Sequence, residues 1–117
     1  MDCIFCKIAK KEIKAEIVYE DGDIIAFKDL HPIVPIHILI IPKKHIASVA
    51  DLEDDDQKLM DALVMVAKRI AEQCGIAGDG YKLLFRVGKF GGQEIQHIHM
   101  HLLGGAMLEE NIRIVQK

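Results

Sequence analysis

The sequence predicts an α+β domain: an antiparallel five-stranded sheet with one long helix on one face. Three observations lead there. Short runs rich in β-branched residues are punctuated by turn residues, one long stretch repeats its apolar residues at helical spacing, and a run near the C-terminus alternates with period two. With 117 residues, half of them hydrophobic, the chain suits a single domain over 1–117 with one core. Aromatic residues are 5% and Trp is absent, so aliphatic side chains must fill that core.

Taken in order, residues 17–20 (Ile-Val-Tyr-Glu) and 24–28 (Ile-Ile-Ala-Phe-Lys) read as antiparallel partners around a tight turn at Asp21-Gly22. The prolines between His31 and Pro35 mark a loop, and residues 36–41 (Ile-His-Ile-Leu-Ile-Ile) read as a central strand that Pro42 ends. Leu59, Leu63, Val66, Ala67, Ile70 and Cys74 form one apolar helical stripe, which places Cys74 in the core. Glu53, Asp54, Asp55 and Asp56 crowd the start of that helix, where its dipole favours anions, and they read as a solvated helix start. Gly75 is its stop signal. Residues 81–87 and 94–103 supply the last two strands, joined by a glycine-rich loop.

Charge narrows the function. A formal net charge of -3 argues against a general nucleic-acid binder, which would carry a basic excess. No run is long and apolar enough to span a bilayer, and the start of the chain lacks the pattern of a signal peptide. Three cysteines, an odd number, and no secretory signal point to a reducing cytoplasm.

The segment His97-Ile98-His99-Met100-His101-Leu102-Leu103 carries the chemistry. In a strand its three histidines share one face while Ile98, Met100 and Leu102 pack the other. Three imidazoles are expensive as core filling, since each needs partners. A single metal held by all three is disfavoured, because His97 and His101 stand roughly 13 Å apart along a strand. A phosphoryl-transfer site fits better, with one nucleophilic ring flanked by donors and His37 on a neighbouring strand.

This His-φ-His-φ-His-φ-φ pattern, φ being apolar, matches the signature of the histidine triad (HIT) superfamily at every position. The resemblance extends to Gly92-Gln93, to Leu103-Gly104-Gly105, to Phe27-Lys28-Asp29 and to the block from Pro35 to His45, which is similar to the Hint branch. Cys3-Ile4-Phe5-Cys6-Lys7-Ile8 looks like the start of bacterial and archaeal members. The resemblance implies a homodimer with the sheet continued across its interface. It implies a hydrolase of purine nucleoside 5′-phosphoramidates or related nucleotidyl conjugates, with no organic cofactor. His99 would attack the α-phosphorus and become nucleotidylated; His101 and His37 would contact the phosphate or leaving group, and the His97 carbonyl would orient His99. Asp29 would hold the ribose hydroxyls. Phe5, Ile8 and Phe27 would line the base pocket, and Leu30, Gly92, Gln93, Arg86 and Glu94 would lie by the nucleotide.

Two departures stand out: relatives often carry Asn where this chain has Arg86, and Ser or Thr where it has Glu94. An ionised Glu94 cannot donate to a phosphate, and Arg86 is the residue that would restore the charge balance. The tail after Gly105 lacks an aromatic residue that some relatives use near the leaving group. The loop from Gly88 to Gln93 is not a Walker A motif; it reads either as a hairpin connection or as a cradle of backbone N–H groups for phosphate. Cys3 and Cys6 have the spacing of half a zinc site. By resemblance to zinc-bearing bacterial relatives, His45 and His97 are the candidates to complete a structural zinc site. The competing readings are a non-catalytic nucleotide-binding protein, a dinucleoside polyphosphate hydrolase, and a redox or metal sensor built on Cys3/Cys6.

Overall fold

The period-two alternation of the strands decides the architecture. A computed structural model describes residues 3–115. Its elements are α1 (Ile4–Ala9), β1 (Ile17–Glu20), β2 (Ile24–Lys28), β3 (Ile36–Pro42), α2 (Gln57–Gln73), β4 (Lys82–Leu84) and β5 (Met100–Gly104), with two 3-10 turns before α2. The strands form one five-stranded sheet in the order β1-β2-β3-β5-β4, every pair antiparallel.

On one face Ile24, Ala26, Ile38, Ile40, Met100 and Leu102 pack against Leu63, Val66, Ala67, Ile70 and Ala71 of α2. On the other face Ile25, Phe27, Leu39 and Ile41 pack against Phe5 and Ile8 of α1. The register pairs Ala26 with Ile40 and Phe27 with Leu39, so like faces meet across strands. A one-residue slip would exchange the two faces, which is why the register is strongly specified.

Asp21 closes the β1–β2 connection by accepting at Oδ1 from the N–H groups of Asp23 and Ile24, at 2.8 and 2.9 Å. Gly75 follows α2 with φ +76, the left-handed conformation that ends helices. Three of the four acids ahead of α2 are exposed, as a solvated start requires, but Asp56 is buried. Its Oδ2 accepts from the Glu53 N–H at 3.0 Å and its Oδ1 takes Lys44 Nζ at 2.7 Å. No helix among the described residues is long and apolar enough to cross a membrane.

The structure corrects several expectations. Cys74 is exposed, because it sits at the C-cap, where the turn carries its side chain off the buried stripe. The strand expected over 81–87 pairs only over Lys82–Leu84. The strand expected over 94–103 begins at Met100, since the Ile98 N–H donates to the Ile46 carbonyl (2.6 Å) and the backbone before it joins no ladder. Nothing in the apolar periodicity marks α1, which is only six residues long.

Ile40 is fully buried between sheet and α2. Ile40→Ala should lower unfolding free energy by about 2–5 kcal/mol, measured by urea denaturation. Met65→Ala, on the exposed side of α2, should change it by less than about 0.5 kcal/mol.

Candidate active site

The sheet face opposite α2 carries the polar chemistry. On β3, His37 shares that face with Leu39 and Ile41; on β5, His101 stands opposite Leu39. His97, at the end of a bend, and His99 precede β5, with ring centroids of His99 and His101 5.1 Å apart.

His99 is the best-defined member. Its Nδ1 lies 2.8 Å from the His97 carbonyl oxygen. A carbonyl only accepts, so Nδ1 carries the proton and Nε2 keeps its lone pair. Burial lowers the His99 pKa below its ordinary value, with Arg86 adding to the effect, against the bond to His97 and the charge of Asp29. The ring is therefore neutral near pH 7, the form in which imidazole is a nucleophile. Phe5 packs edge-on against it, centroids 5.1 Å apart.

Beside it runs a row of donors. The Ile33 N–H points at His37 Nδ1 (3.3 Å), His37 Nε2 faces His101 Nδ1 (3.0 Å), and the Arg86 guanidinium donates to His101 Nε2 (3.2 Å). With donors at both ends, the two facing ring nitrogens are short of an acceptor. Asp29 Oδ2 stands 3.3 Å from His37 Nε2, and Asp29 Oδ1 takes the His31 N–H at 2.8 Å. A phosphoryl oxygen is the kind of acceptor that such a row would take.

Of these groups Asp29, Arg86, His99 and His101 open onto a cavity of about 490 Å³, whereas His37, expected to contact the phosphate or leaving group, is buried behind His101 and does not line it. Phe5, Ile8, Phe27 and Leu30 supply apolar wall, and Asp29, Arg86, Gly92, Glu94, His99 and His101 supply the polar side. Ile4, Ala15, Leu39 and Ile95 also line it. Of these only Leu39 had a signal, its period-two relation to His37. His31, at the start of the loop that the prolines mark, lines the cavity too.

Three expectations change. The Gln93 amide does not line the cavity: Nε2 donates to the carbonyls of Ala47 and Ile95, and Oε1 accepts from the Gly88 N–H. Gln93 is thus a strap across the loop rather than a nucleotide contact. The cradle reading of that loop fails for Gly88, Gly92 and Gln93, whose N–H groups are all used internally. The His97 ring is fully buried and turned from the cavity, so its contribution there is the carbonyl alone.

That ring instead meets a second cluster. Cys3, Cys6, His45 and His97 bring two sulfurs and two ring nitrogens within 4.8 Å of one another. Cys3 Sγ to His97 Nδ1 is 3.3 Å, Cys6 Sγ to His45 Nδ1 is 3.3 Å, and the two Nδ1 atoms are 3.2 Å apart. Donors around tetrahedral zinc, at about 2.3 Å for sulfur and about 2.0–2.1 Å for nitrogen, would be separated by roughly 3.3–3.8 Å. His97 Nε2–H donates to the Pro42 carbonyl (2.8 Å), which leaves Nδ1 unprotonated and aimed at the cluster. A bond from the far ring nitrogen to a carbonyl is what orients a metal-binding imidazole. Burial pushes the Cys6 thiol up, an effect that a bound cation would reverse. The residues fit a structural zinc.

Sheet, triad and cavity together define a HIT protein, and a model of the HIT domain matches residues 10–108; the chain belongs to that family. It is 48% identical to the purine nucleoside phosphoramidase of Escherichia coli K12 over 92% of its length and 90% of that protein. It is 47% identical to protein HitA of Neisseria gonorrhoeae over 88% of its length and 95% of that protein. The solved structure of a HIT family hydrolase from Legionella pneumophila superposes with a TM-score of 0.91 at 50% identity, covering 93% of this chain and 97% of that one. A histidine triad protein from Clostridium difficile superposes at 0.93 with 42% identity, covering 96% and 97%. With such relatives along nearly all of its length, the chain is a hydrolase.

Burial first, then the charges of His99, Arg86 and His37, lower the His101 pKa from 6.5 to about 4, against the opposite pull of Asp29. Between those values the unfolded chain binds the extra proton and the folded one does not. The contribution to stability is therefore complete above pH 6.5 and declines as pH falls toward about 4. His101→Asn should flatten that decline relative to the parent in thermal unfolding scans across this range.

Proposed function

We propose that this hydrolase cleaves purine nucleoside 5′-phosphoramidates and related nucleotidyl conjugates through a covalent nucleotidyl-histidine at His99. The observation that carries the reading is the bond from His99 Nδ1 to the His97 carbonyl, which leaves Nε2 free at the wall of the cavity. A protein that only bound nucleotide would have no use for that free nitrogen.

In the first step the Nε2 lone pair attacks the α-phosphorus. The P–N bond to the leaving amine breaks with its electron pair on nitrogen, and the amine takes up a proton from solvent, which the attacking water gives back in the second step. His101 and Arg86 hold the phosphoryl oxygens as charge develops, and His37, through its contact with His101, positions that ring. In the second step water attacks phosphorus, the bond to His99 breaks, and a nucleoside monophosphate leaves with the imidazole neutral again. Asp29 accepts from the ribose hydroxyls. Phe5, Ile8, Phe27 and Leu30 enclose the base, with Gly92 at the cavity's edge. Arg86 supplies a permanent positive charge, and Glu94, on the same wall, favours a leaving group able to donate to it.

Residues 1–117 act as one HIT domain, working in the cytoplasm as a homodimer with its sheet continued into a second copy. Support for the dimer comes from the three-residue edge strand β4 and from the exposed apolar side chains Met107, Ile112, Ile114 and Val115 beyond β5. Cys3, Cys6, His45 and His97 hold a structural zinc, which cross-links the N-terminal segment to the sheet and lies off the cavity.

With adenosine 5′-phosphoramidate, His99→Ala should lose turnover by a factor on the order of 10³ or more while AMP affinity stays near the parent value. Mass spectrometry of the quenched parent reaction should find the nucleotidyl group on His99. A variant that keeps its turnover would refute the mechanism. Elemental analysis of purified protein should return one zinc per chain; a well-folded, active protein with none would remove zinc from the account.

A further inference from the structure

One short helix serves both clusters. α1 runs from Ile4 to Ala9, with Cys3 at its N-cap accepting from the Cys6 N–H. Cys3 and Cys6 belong to the sulfur–imidazole cluster, while Ile4, Phe5 and Ile8 line the cavity. A helix of six residues is not stable by itself and takes its position from its tethers. Its apolar tether is the packing of Phe5 against Phe27 (5.5 Å between centroids), His97 (5.9 Å) and His99 (5.1 Å). Its polar tether is the two sulfurs against His45 and His97. Without a metal that second tether consists of contacts of a thiol with an imidazole, among the weaker hydrogen bonds. The helix also precedes residues 10–108, the part matched by the HIT domain model.

We infer that the Cys3/Cys6/His45/His97 centre controls nucleotide affinity, because a divalent metal held there fixes α1 as the wall of the nucleotide cavity. The inference rests on the nucleotide reading above. His97 joins the two sites directly. Its ring faces the cluster through Nδ1 and is braced by Pro42 through Nε2, while its carbonyl holds His99. Loss of the metal loosens the sulfur end of α1, and Phe5 and Ile8 move with it. The ladders of the sheet and its α2 face stay formed, since they use none of these side chains, and the change is confined to the face that α1 covers. Phe5, Cys3 and Cys6 are then positioning residues, and the effect falls on binding rather than on the attacking nitrogen.

The test compares AMP binding by calorimetry in zinc-loaded protein, in protein stripped with a chelator, and in zinc-loaded Cys6→Ser, which keeps three donors without requiring a metal-free chain. The expected result is AMP affinity weaker by roughly tenfold or more in the stripped protein and in Cys6→Ser. Far-UV circular dichroism should be preserved, and amide exchange should be faster within Phe5–Ala9. Equal affinity in loaded and stripped protein, or in parent and Cys6→Ser where stripping unfolds the chain, would overturn the coupling while leaving the nucleotide reading intact. Failure of the zinc-loaded parent to bind AMP would overturn both.

Discussion

The bond from His99 Nδ1–H to the His97 carbonyl requires that carbonyl to be spared from the sheet ladder. β5 begins only at Met100, and the chain before it is held elsewhere, by the Ile98 N–H on the Ile46 carbonyl. Had pairing continued back to residue 94, a backbone N–H would compete for the same oxygen. The delayed start of the ladder therefore places the lone pair of His99 where it is useful. It also gives His97 a second task, since the ring of the residue whose carbonyl is used faces three other metal-type donors, those of Cys3, Cys6 and His45.

Electrostatics follow from burial. The triad face is apolar around its histidines: Phe5, Leu39 and Phe27 adjoin them, so desolvation is the leading cause of every lowered histidine pKa at the site. Neutral rings can be nucleophile or hydrogen-bond partner, but they bring no permanent charge to a phosphate. Arg86 brings it, and its guanidinium in turn makes the rings harder to protonate. Asp29 opposes that effect, and its hydrogen bond from the His31 N–H holds the carboxylate beside the row.

Packing sets what each side of the sheet can do. The α2 side is filled by interlocking aliphatic groups and has a structural role. Among the described residues the other side is covered by a six-residue helix and by Ile13, Ala15 and Ile95 from outside the strands and helices, which leaves room for a cavity beside β3 and β5. Glycine supports that arrangement at Gly91, where a Cβ would overlap the Val87 backbone, so the turn carrying Gly92 to the cavity needs a residue without one.

Local pattern by itself determined much of this protein. Period two in 36–41 and 97–103 put the histidines on one face, and the helical stripe named α2. These features depend on neighbours in sequence, so a strand or helix geometry is enough to place them; the other cavity residues were named only through resemblance to the family of the triad motif. Tertiary structure decided the rest. α1 was illegible because six residues carry too little periodicity, and the Gln93 strap needed carbonyls 46 and 2 residues away. Cys74 left the core through a cap geometry that a stripe cannot show. Cys3 and His97 are 94 residues apart in the chain, and only the folded sheet brings them within 3.3 Å. Contacts of that kind come from how elements close on one another, which no local period records.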